Sequence, residues 1–363
     1  GQSMGTIASP GLPGPEAAGA SAVSRSAGRA QLFRTLDAGS SGPAGAFGSP
    51  GTPGDAERTA RAGGAAPGAA SVATTLVPRT STITTDPEAV PDLNVDARWP
   101  AVARASGGVV AAAQVIAYYG HPNSRFMGIL GENEIGVMAE QLKARAAEYD
   151  ELNGDIGVAP AFHIIYGTVY EDASVGILRE SKAIEYIEYA LENDIIVFLD
   201  HQIGSGTVEG AVRAMLPWLR YPNVHLAFDP ASATDHHEKV IGRVHAEDIN
   251  LAQQMIQDYL VENGLPGPRM LVVHQFNWRM IEERERVRAN YPLVQLIHHA
   301  DGFGNPPNKR ASWQFNVIAT NIPLKGFKLF YPKSWRDGGY DDPLMTPAEV
   351  MQLEPVPVYI QYQ

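Results

Sequence analysis

From about residue 107 onward, short apolar runs alternate with longer segments in which apolar residues recur every three or four positions. The apolar runs predict eight strands, at 109–120, 158–169, 194–202, 223–230, 269–276, 292–302, 326–332 and 356–363. The helical spacing predicts amphipathic helices at 133–152, 177–193, 208–220 and 246–264. Because apolar residues fill both faces of the strands, the pattern favours buried parallel strands joined by helical connections.

Eight such strand units over about 250 residues match the size of a (β/α)8 barrel, so we predict a TIM-like barrel over residues 107–363. An open, doubly wound sheet is the alternative. The first strand is not followed by G-x-G-x-x-G, and no G-x-x-x-x-G-K-[ST] occurs, so a nucleotide-binding fold lacks support. The sequence ends on the eighth strand, and we expect the N-terminal lead-in to take the place of the eighth helix.

The N-terminal part of the chain has a different composition. Residues 1–75 are rich in Gly, Pro, Ala and Ser and show neither helical nor strand periodicity. Such a segment buries too little apolar surface to offset its ordering entropy, which predicts a low-complexity, disordered tether. Residues 76–106 are predicted to form an extended lead-in. Tethers of this kind are typical of exported proteins, so we expect an extracellular or cell-surface location; a weakly ordered arm around the domain is the alternative.

Composition and charge exclude several classes of function. The net charge of −12 and the pI near 5.3 argue against a nucleic-acid partner and against binding to anionic lipid. The absence of cysteine excludes disulfides, zinc–thiolate sites and cysteine nucleophiles. No apolar run reaches the roughly 18 residues of a membrane span. The sequence begins with Gly1 and carries no information on a removed signal peptide or lipid anchor.

Polar side chains follow the apolar part of several predicted strands. Since parallel strands in a barrel open their C-terminal ends on one face, these side chains should meet at one mouth. They are Asp200, His201, Gln202, Asp229, His274, Gln275, His298, His299 and Asp301. Alternation along a strand places Asp200 and Gln202 on one face and His201 on the other. His163 lies early in its strand, and we interpret it as a core histidine.

The leading hypothesis is an exported hydrolase that cleaves glycosidic bonds of a carbohydrate or cell-surface polymer. This chemistry needs two carboxyl groups about 5–10 Å apart, one protonated and one ionised. We predict Asp229 as nucleophile or base and Asp200 as the acid, because apolar surroundings would hold the proton of Asp200. Glu132 is a further catalytic candidate, and Glu132, Glu171 or Asp301 could substitute for either acid. The predicted substrate-binding residues are His201, Gln202, His274, Gln275, Trp278, His298 and Asp301, with Trp278 at the rim.

Two other functions stay open at this point. In a metal-assisted hydrolase, His201, Asp229, His274 and His298 would be the ligands, and the triplet at 235–237 would be either a metal site or part of a lid loop. We expect no cofactor otherwise. A non-catalytic, degenerate barrel that binds a glycan or a protein is the remaining alternative. Neither G-x-S-x-G nor another nucleophile elbow occurs, so a serine hydrolase is not predicted.

The runs YYGHPNSRFMGILGE, DHQIGSGTVEGAVRAMLPWLRYPNVHLAFDP and GLPGPRMLVVHQFNWRMI resemble a group of exported bacterial lipoproteins and surface proteins. The resemblance covers roughly residues 110–363. It implies a glycoside-hydrolase-like TIM barrel behind a low-complexity linker, and it implies cell-surface tethering through that linker. The fourth-strand motif of the group runs Asp-Pro-Glu, whereas this sequence has Asp229–Pro230–Ala231. The missing acid puts a carboxylate-pair mechanism in doubt and favours the non-catalytic alternative.

Overall fold

The computed structural model of the protein describes residues 108–234, 240–332 and 339–363. The predicted tether (1–75), the lead-in (76–106) and the triplet at 235–237 lie outside the described residues. Within the described part of the chain, no helix combines the length and the apolar character needed to cross a membrane.

Eight parallel strands close into a barrel, which confirms the predicted fold. They are β1 (Ala113–His121), β3 (Gly157–Val169), β5 (Ile196–Gln202), β6 (Val224–Asp229), β8 (Arg269–Gln275), β10 (Val294–Ala300), β11 (Leu324–Leu329) and β12 (Tyr359–Tyr362). Each pairs in parallel with the next in this order, and β12 pairs with β1 to close the ring. Four short strands lie outside the ring: β2 (Ser124–Gly128), β4 (Val175–Ile177), β7 (Val244–His245) and β9 (Ile281–Glu282).

Four of the six α-helices in the described residues follow the predicted pattern. The six are α1 (Ile135–Asp150), α2 (Glu180–Glu192), α3 (Val208–Met215), α4 (Ala246–Glu262), α5 (Pro306–Val317) and α6 (Pro347–Val350). The helix predicted at 208–220 ends as an α-helix at Met215 and continues as a 3-10 helix over Leu216–Arg220, because Pro217 cannot donate a helical hydrogen bond. The sequence did not predict α5, whose start is set by the Asn305 cap rather than by an apolar stripe.

The lower part of the barrel interior is a close-packed apolar core. Small side chains such as Ala117, Ala161 and Ala227 pack there with the large side chains of Phe198 and Tyr359. Alternating small and large residues fill the interior, so the barrel is a packed core and not a pore. His225 also lies beside Phe198, at a ring-centre distance of 5.3 Å, whereas Asp200 and Lys328 lie above this core, toward the C-terminal ends of their strands.

Candidate functional site

Three barrel strands and the loop after a fourth place oppositely charged side chains in contact above the apolar core. Asp200 of β5 lies two residues beyond Phe198 on the same inward face and is fully buried. The ring of His274, from β8, lies between two acids: its Nε2 is 3.4 Å from Asp200 Oδ2 and its Nδ1 is 3.0 Å from Asp301 Oδ2. The ammonium of Lys328, from β11, is 3.0 Å from Asp301 Oδ1.

The contacts continue on the opposite side of Asp200. His163 Nε2 is 3.1 Å from Asp200 Oδ2, and His163 Nδ1 is 2.6 Å from the hydroxyl of Tyr359. We name this set of six residues the buried charge chain, in the order Tyr359, His163, Asp200, His274, Asp301, Lys328. His163 is fully buried, as expected for a core histidine, and it also contacts an acid. None of the six is more than 7% exposed.

The electrostatics of the buried charge chain differ from the sequence-based expectation for Asp200. Burial alone would raise the pKa of Asp200, but His274 and His163 outweigh it and hold that pKa below its usual range. This direction favours the ionised form of Asp200 and does not support its predicted role as the protonated acid. Burial likewise opposes the charge of Asp301, and Lys328 and His274 bring its pKa below the usual value.

The pKa values of the two histidines of the buried charge chain are shifted in opposite directions. Burial lowers the pKa of His163 to about 4, although Asp200 partly opposes this shift. Burial also acts on His274, but the two flanking carboxylates Asp200 and Asp301 raise its pKa to about 9. Buried acids require such polar or charged neighbours, and Lys328 and the His274 ring supply them for Asp301.

A second buried pair holds the loops around this site. Lys309 of α5 donates hydrogen bonds to the backbone carbonyls of Gly302 and Lys328, and its Nζ lies 3.4 Å from Asp341 Oδ2. Asp341 accepts hydrogen bonds from the backbone N–H groups of Gly304 and Phe330 at 2.9 and 3.0 Å. The pair therefore ties the loop after β10 to the loop after β11, next to Asp301 and Lys328.

The other predicted carboxylates lie elsewhere at the same end of the barrel. Asp229 is buried at the end of β6, and its Oδ1 accepts a hydrogen bond from Ala231 N at 2.9 Å, which caps the 3-10 helix Pro230–Ser232. Glu132 is half-buried in the turn after β2. The acid that shares His274 with Asp200 is Asp301, which the sequence predicted as a substrate-binding residue and as a possible substitute for either catalytic acid.

Several predicted substrate-binding residues lie outside the barrel interior, which corrects their assignment. His298 and Gln275 face the helical layer, where His298 Nε2 is 2.7 Å from Gln275 Oε1. His201 contacts its own strand, with Nδ1 2.6 Å from Gln202 O. Because side chains alternate along a strand, His274 faces the barrel interior while Gln275 faces the helices. For the same reason, the side chains of His201 and His298 do not belong to a metal-binding site inside the barrel.

Gln202 and Trp278 keep positions near the mouth. The side-chain oxygen of Gln202 accepts a hydrogen bond from Val169 N at 2.9 Å and joins the ends of β5 and β3. Trp278 follows β8 and is 66% exposed, with the guanidinium of Arg279 5.1 Å from its ring centre. The structure thus brings together Asp200, His274 and Asp301 from the predicted set and adds His163, Lys328 and Tyr359.

Sequence reasoning missed Lys328 although a signal was present. The strand Leu324–Leu329 is buried, yet it contains Lys325 and Lys328. A lysine inside an otherwise apolar strand needs a partner, because an unpaired buried charge is strongly unfavourable. Lys328 has such a partner in Asp301, whereas Lys325 lies on the outer side with the polar residues around His298.

The titration of Lys325 gives a testable pH dependence. Its Nζ lies 3.2 Å from His298 Nδ1 and donates to the carbonyls of Asn316 and Ala319. Burial, with a smaller contribution from Arg284, lowers the pKa of Lys325 to about 7. Between pH about 7 and about 10 the unfolded chain therefore binds one more proton than the folded protein, so folded-state stability should rise with pH in that window.

We expect the unfolding free energy of the wild type, minus that of Lys325→Met, to increase by about 1.4 kcal/mol per pH unit in this window. Below about pH 7 the difference should be constant, since Lys325 is then protonated in both states. Urea unfolding at several pH values measures this difference. A difference that stays constant up to pH about 9 would mean that the folded protein keeps the proton on Lys325.

Two comparisons with known sequences find no match for this chain. The chain matches no protein-family model. A search of curated proteins finds no similar sequence.

Several solved structures have a backbone similar to part of this chain. The spore cortex-lytic enzyme SleL of Bacillus cereus is 12% identical, with a TM-score of 0.34, over 60% of this chain and 51% of SleL. A chitinase from Ipomoea carnea is 14% identical, with a TM-score of 0.40, over 68% of this chain and 94% of that enzyme. A family 18 chitinase from Crocus vernus is 11% identical, with a TM-score of 0.38, over 69% of this chain and 92% of that enzyme.

This chain thus spans about half the length of SleL. The identities and TM-scores are too low for these similarities to carry an argument about function. The barrel itself is established by the strand pairings.

Proposed function

We propose that this protein is a hydrolase of a carbohydrate polymer and that its reaction centre is the buried charge chain. The observation that supports the proposal is the contact of Asp200, His274, Asp301 and Lys328 inside the barrel. Buried ion pairs contribute little to stability, because the loss of hydration offsets much of their attraction. Strongly perturbed titratable groups at the C-terminal end of barrel strands are the usual setting of catalysis.

The geometry assigns different roles to the two acids. Asp301 follows the end of β10, is 7% exposed and is oriented by Lys328, so it is the acid nearer the mouth. Asp200 is fully buried beneath His274. An ionised carboxylate at either position can stabilise positive charge in a transition state or accept a proton from water, and neither role requires a protonated Asp200.

Exposed aromatic side chains at the mouth support a carbohydrate substrate. Four of them lie in segments that follow barrel strands: Phe126, Tyr170, Trp278 and Tyr340, which are 61%, 55%, 66% and 47% exposed. Large aromatic rings left in solvent provide flat apolar faces with polar edges, which suit the faces of sugar rings. All four segments follow the C-terminal ends of barrel strands, which is also the end toward which the buried charge chain lies.

The direct test is hydrolysis of a panel of polysaccharides and chromogenic glycosides, with reducing ends or released chromophore as the readout. We expect product with the wild type, loss of product with Asp301→Asn, and full activity with Asp258→Asn, an exposed acid on α4. Sugar binding by the wild type without any turnover would contradict the hydrolase and would support the glycan-binding alternative.

The rim aromatics give a separate prediction. Trp278→Ala should raise KM about tenfold, the equivalent of losing roughly 1.4 kcal/mol of ring contact, with kcat changed much less. The reason is that Trp278 would bind sugar units away from the bond that is cleaved. Val261→Ala, which removes an equally exposed apolar side chain from α4, is the matched control. Equal KM values for Trp278→Ala and the wild type would remove Trp278 from the substrate site.

We also propose that the protein acts outside the cell, tethered through its N-terminal segment. The proposal is supported by the Gly-, Pro-, Ala- and Ser-rich composition of residues 1–75. Fractionation of cells that produce the protein from its native gene, followed by detection with an antibody, tests the location. Recovery in the cytoplasmic fraction alone would contradict it.

A further inference from the structure

We propose that His163, Asp200 and His274 bind a divalent first-row transition-metal ion inside the barrel. The proposal deepens the hydrolase function by naming the group that activates water, but the binding of the ion does not depend on which substrate is used. One ligand atom from each of the three residues lies within 4.8 Å of the other two. All three side chains are at most 1% exposed, so the ion would lie in a shielded interior site.

The distances between the ligand atoms fit one shared ion. Asp200 Oδ2 is 3.1 Å from His163 Nε2 and 3.4 Å from His274 Nε2. In a tetrahedral site with metal–ligand bonds of about 2.0–2.1 Å, neighbouring ligand atoms lie about 3.3 Å apart. The two observed distances bracket that value, and the third separation, between the ligand atoms of His163 and His274, is at most 4.8 Å.

The hydrogen bonding of the same atoms points to a missing partner. His163 Nε2, His274 Nε2 and both carboxylate oxygens of Asp200 are buried, and none forms a hydrogen bond of acceptable geometry. Buried polar atoms in native proteins are almost always hydrogen-bonded or bound to an ion. The imidazole nitrogens are close to Asp200 but poorly directed for hydrogen bonds to it, which is the arrangement of ligands around a common cation.

The outer nitrogens of both rings are already held in place. His163 Nδ1 is 2.6 Å from the Tyr359 hydroxyl, and His274 Nδ1 is 3.0 Å from Asp301 Oδ2. Asp301 in turn contacts Lys328 at 3.0 Å. Metal-binding histidines characteristically use one nitrogen for a carboxylate or another polar group, which fixes the ring orientation and leaves the other nitrogen for the ion.

The ligand chemistry selects the kind of ion. Two imidazole nitrogens and one carboxylate oxygen suit Zn²⁺, Fe²⁺, Co²⁺ or Mn²⁺, whereas Ca²⁺ and Mg²⁺ prefer oxygen ligands alone. Three protein ligands leave at least one coordination position for water or substrate, as in catalytic metal sites. A bound ion of this kind supplies a water of lowered pKa or polarises a substrate oxygen.

The test uses the full chain, purified, treated with a chelator and dialysed. Zn²⁺ is titrated by calorimetry, and Co²⁺ is titrated by its visible absorption, which reports coordination number. We expect about one tightly bound ion per chain and a four- or five-coordinate Co²⁺ spectrum. His163→Gln and Asp200→Asn should each weaken binding at least 100-fold, while Asp301→Asn should weaken it about 10- to 100-fold, because Asp301 only positions His274.

His245→Gln is the control, because the imidazole of His245, in β7, is exposed. The affinity of this variant for Zn²⁺ and Co²⁺ should equal that of the wild type. Circular dichroism and thermal unfolding establish that each variant is folded. The proposal is overturned if the folded wild type binds no Zn²⁺ or Co²⁺, or if His163→Gln binds them as tightly as the wild type, which would indicate surface histidines. Metal binding without hydrolysis would overturn only the proposed activity. Hydrolysis by the metal-free protein would overturn only the role of the ion in activating water.

Discussion

Asp200→Asn should lower turnover by roughly 10²- to 10⁴-fold, the range lost when a charged catalytic group is removed. Asp200 is fully buried and its carboxylate lies 3.1 Å from His163 and 3.4 Å from His274. Asn has nearly the same shape, but it removes the negative charge that both imidazoles face. The measurement is kcat on whichever substrate the hydrolysis panel identifies, made on protein shown to be folded.

Asp229→Asn is the informative comparison for this experiment. The sequence predicted Asp229 and Asp200 as equal partners, whereas the structure shows the Asp229 carboxylate capping a 3-10 helix through Ala231 N. Asn caps helices about as well as Asp, so Asp229→Asn should change both stability and turnover little. If the two variants lose activity equally, the sequence-based pair is correct and the central role of the buried charge chain is wrong.

Lys309→Met should destabilise the protein by about 3–5 kcal/mol, because it leaves Asp341 buried without its cation. Lys309 is 1% exposed and Asp341 is fully buried. Burial lowers the pKa of Lys309 and raises the pKa of Asp341, so desolvation of each group outweighs the attraction between them. The variant also loses the hydrogen bonds of Lys309 to the carbonyls of Gly302 and Lys328. Urea unfolding gives the free-energy difference.

Two further variants show whether charge is the cause of this loss. Asp341→Asn in the Lys309→Met background should recover part of the stability, because it removes the uncompensated charge. Lys182→Met breaks an exposed pair, Lys182–Glu185, in which the two side chains are 31% and 49% exposed, and should cost at most about 1 kcal/mol. A loss with Lys309→Met no larger than that of Lys182→Met would show that the buried pair contributes little.

A large part of the fold could be predicted from local pattern. Continuous apolar runs indicated the eight parallel strands, and helical spacing indicated α1 to α4. Helix α5 was missed because only a few of its residues, such as Trp313, are buried, and its beginning depends on the Asn305 cap and the prolines that follow it. Where packing against the barrel, and not an apolar stripe, stabilises a helix, periodicity carries too little information to predict it.

The sequence predicted at which end of the barrel the candidate site lies, but not which of its residues contact one another. Strand-end polarity placed Asp200, His274 and Asp301 at the same end of the barrel, and strand alternation separated His201 from Asp200. The pairing of these residues was not predicted, because it depends on the relative positions of strands that lie far apart in the chain. His163 and Tyr359, which are in direct contact, are separated by 196 positions.

By itself, the sequence determined buried strands with polar residues at their C-terminal ends, because burial and side-chain alternation are properties of neighbouring residues. Only the tertiary structure decided that these strands close into a ring and that Asp301, and not Asp229, shares His274 with Asp200. It also decided that His163 and Lys328 belong to the same chain of contacts. A pKa and a ligand set depend on what lies a few ångströms away in space, and the closure of the barrel fixes those neighbours.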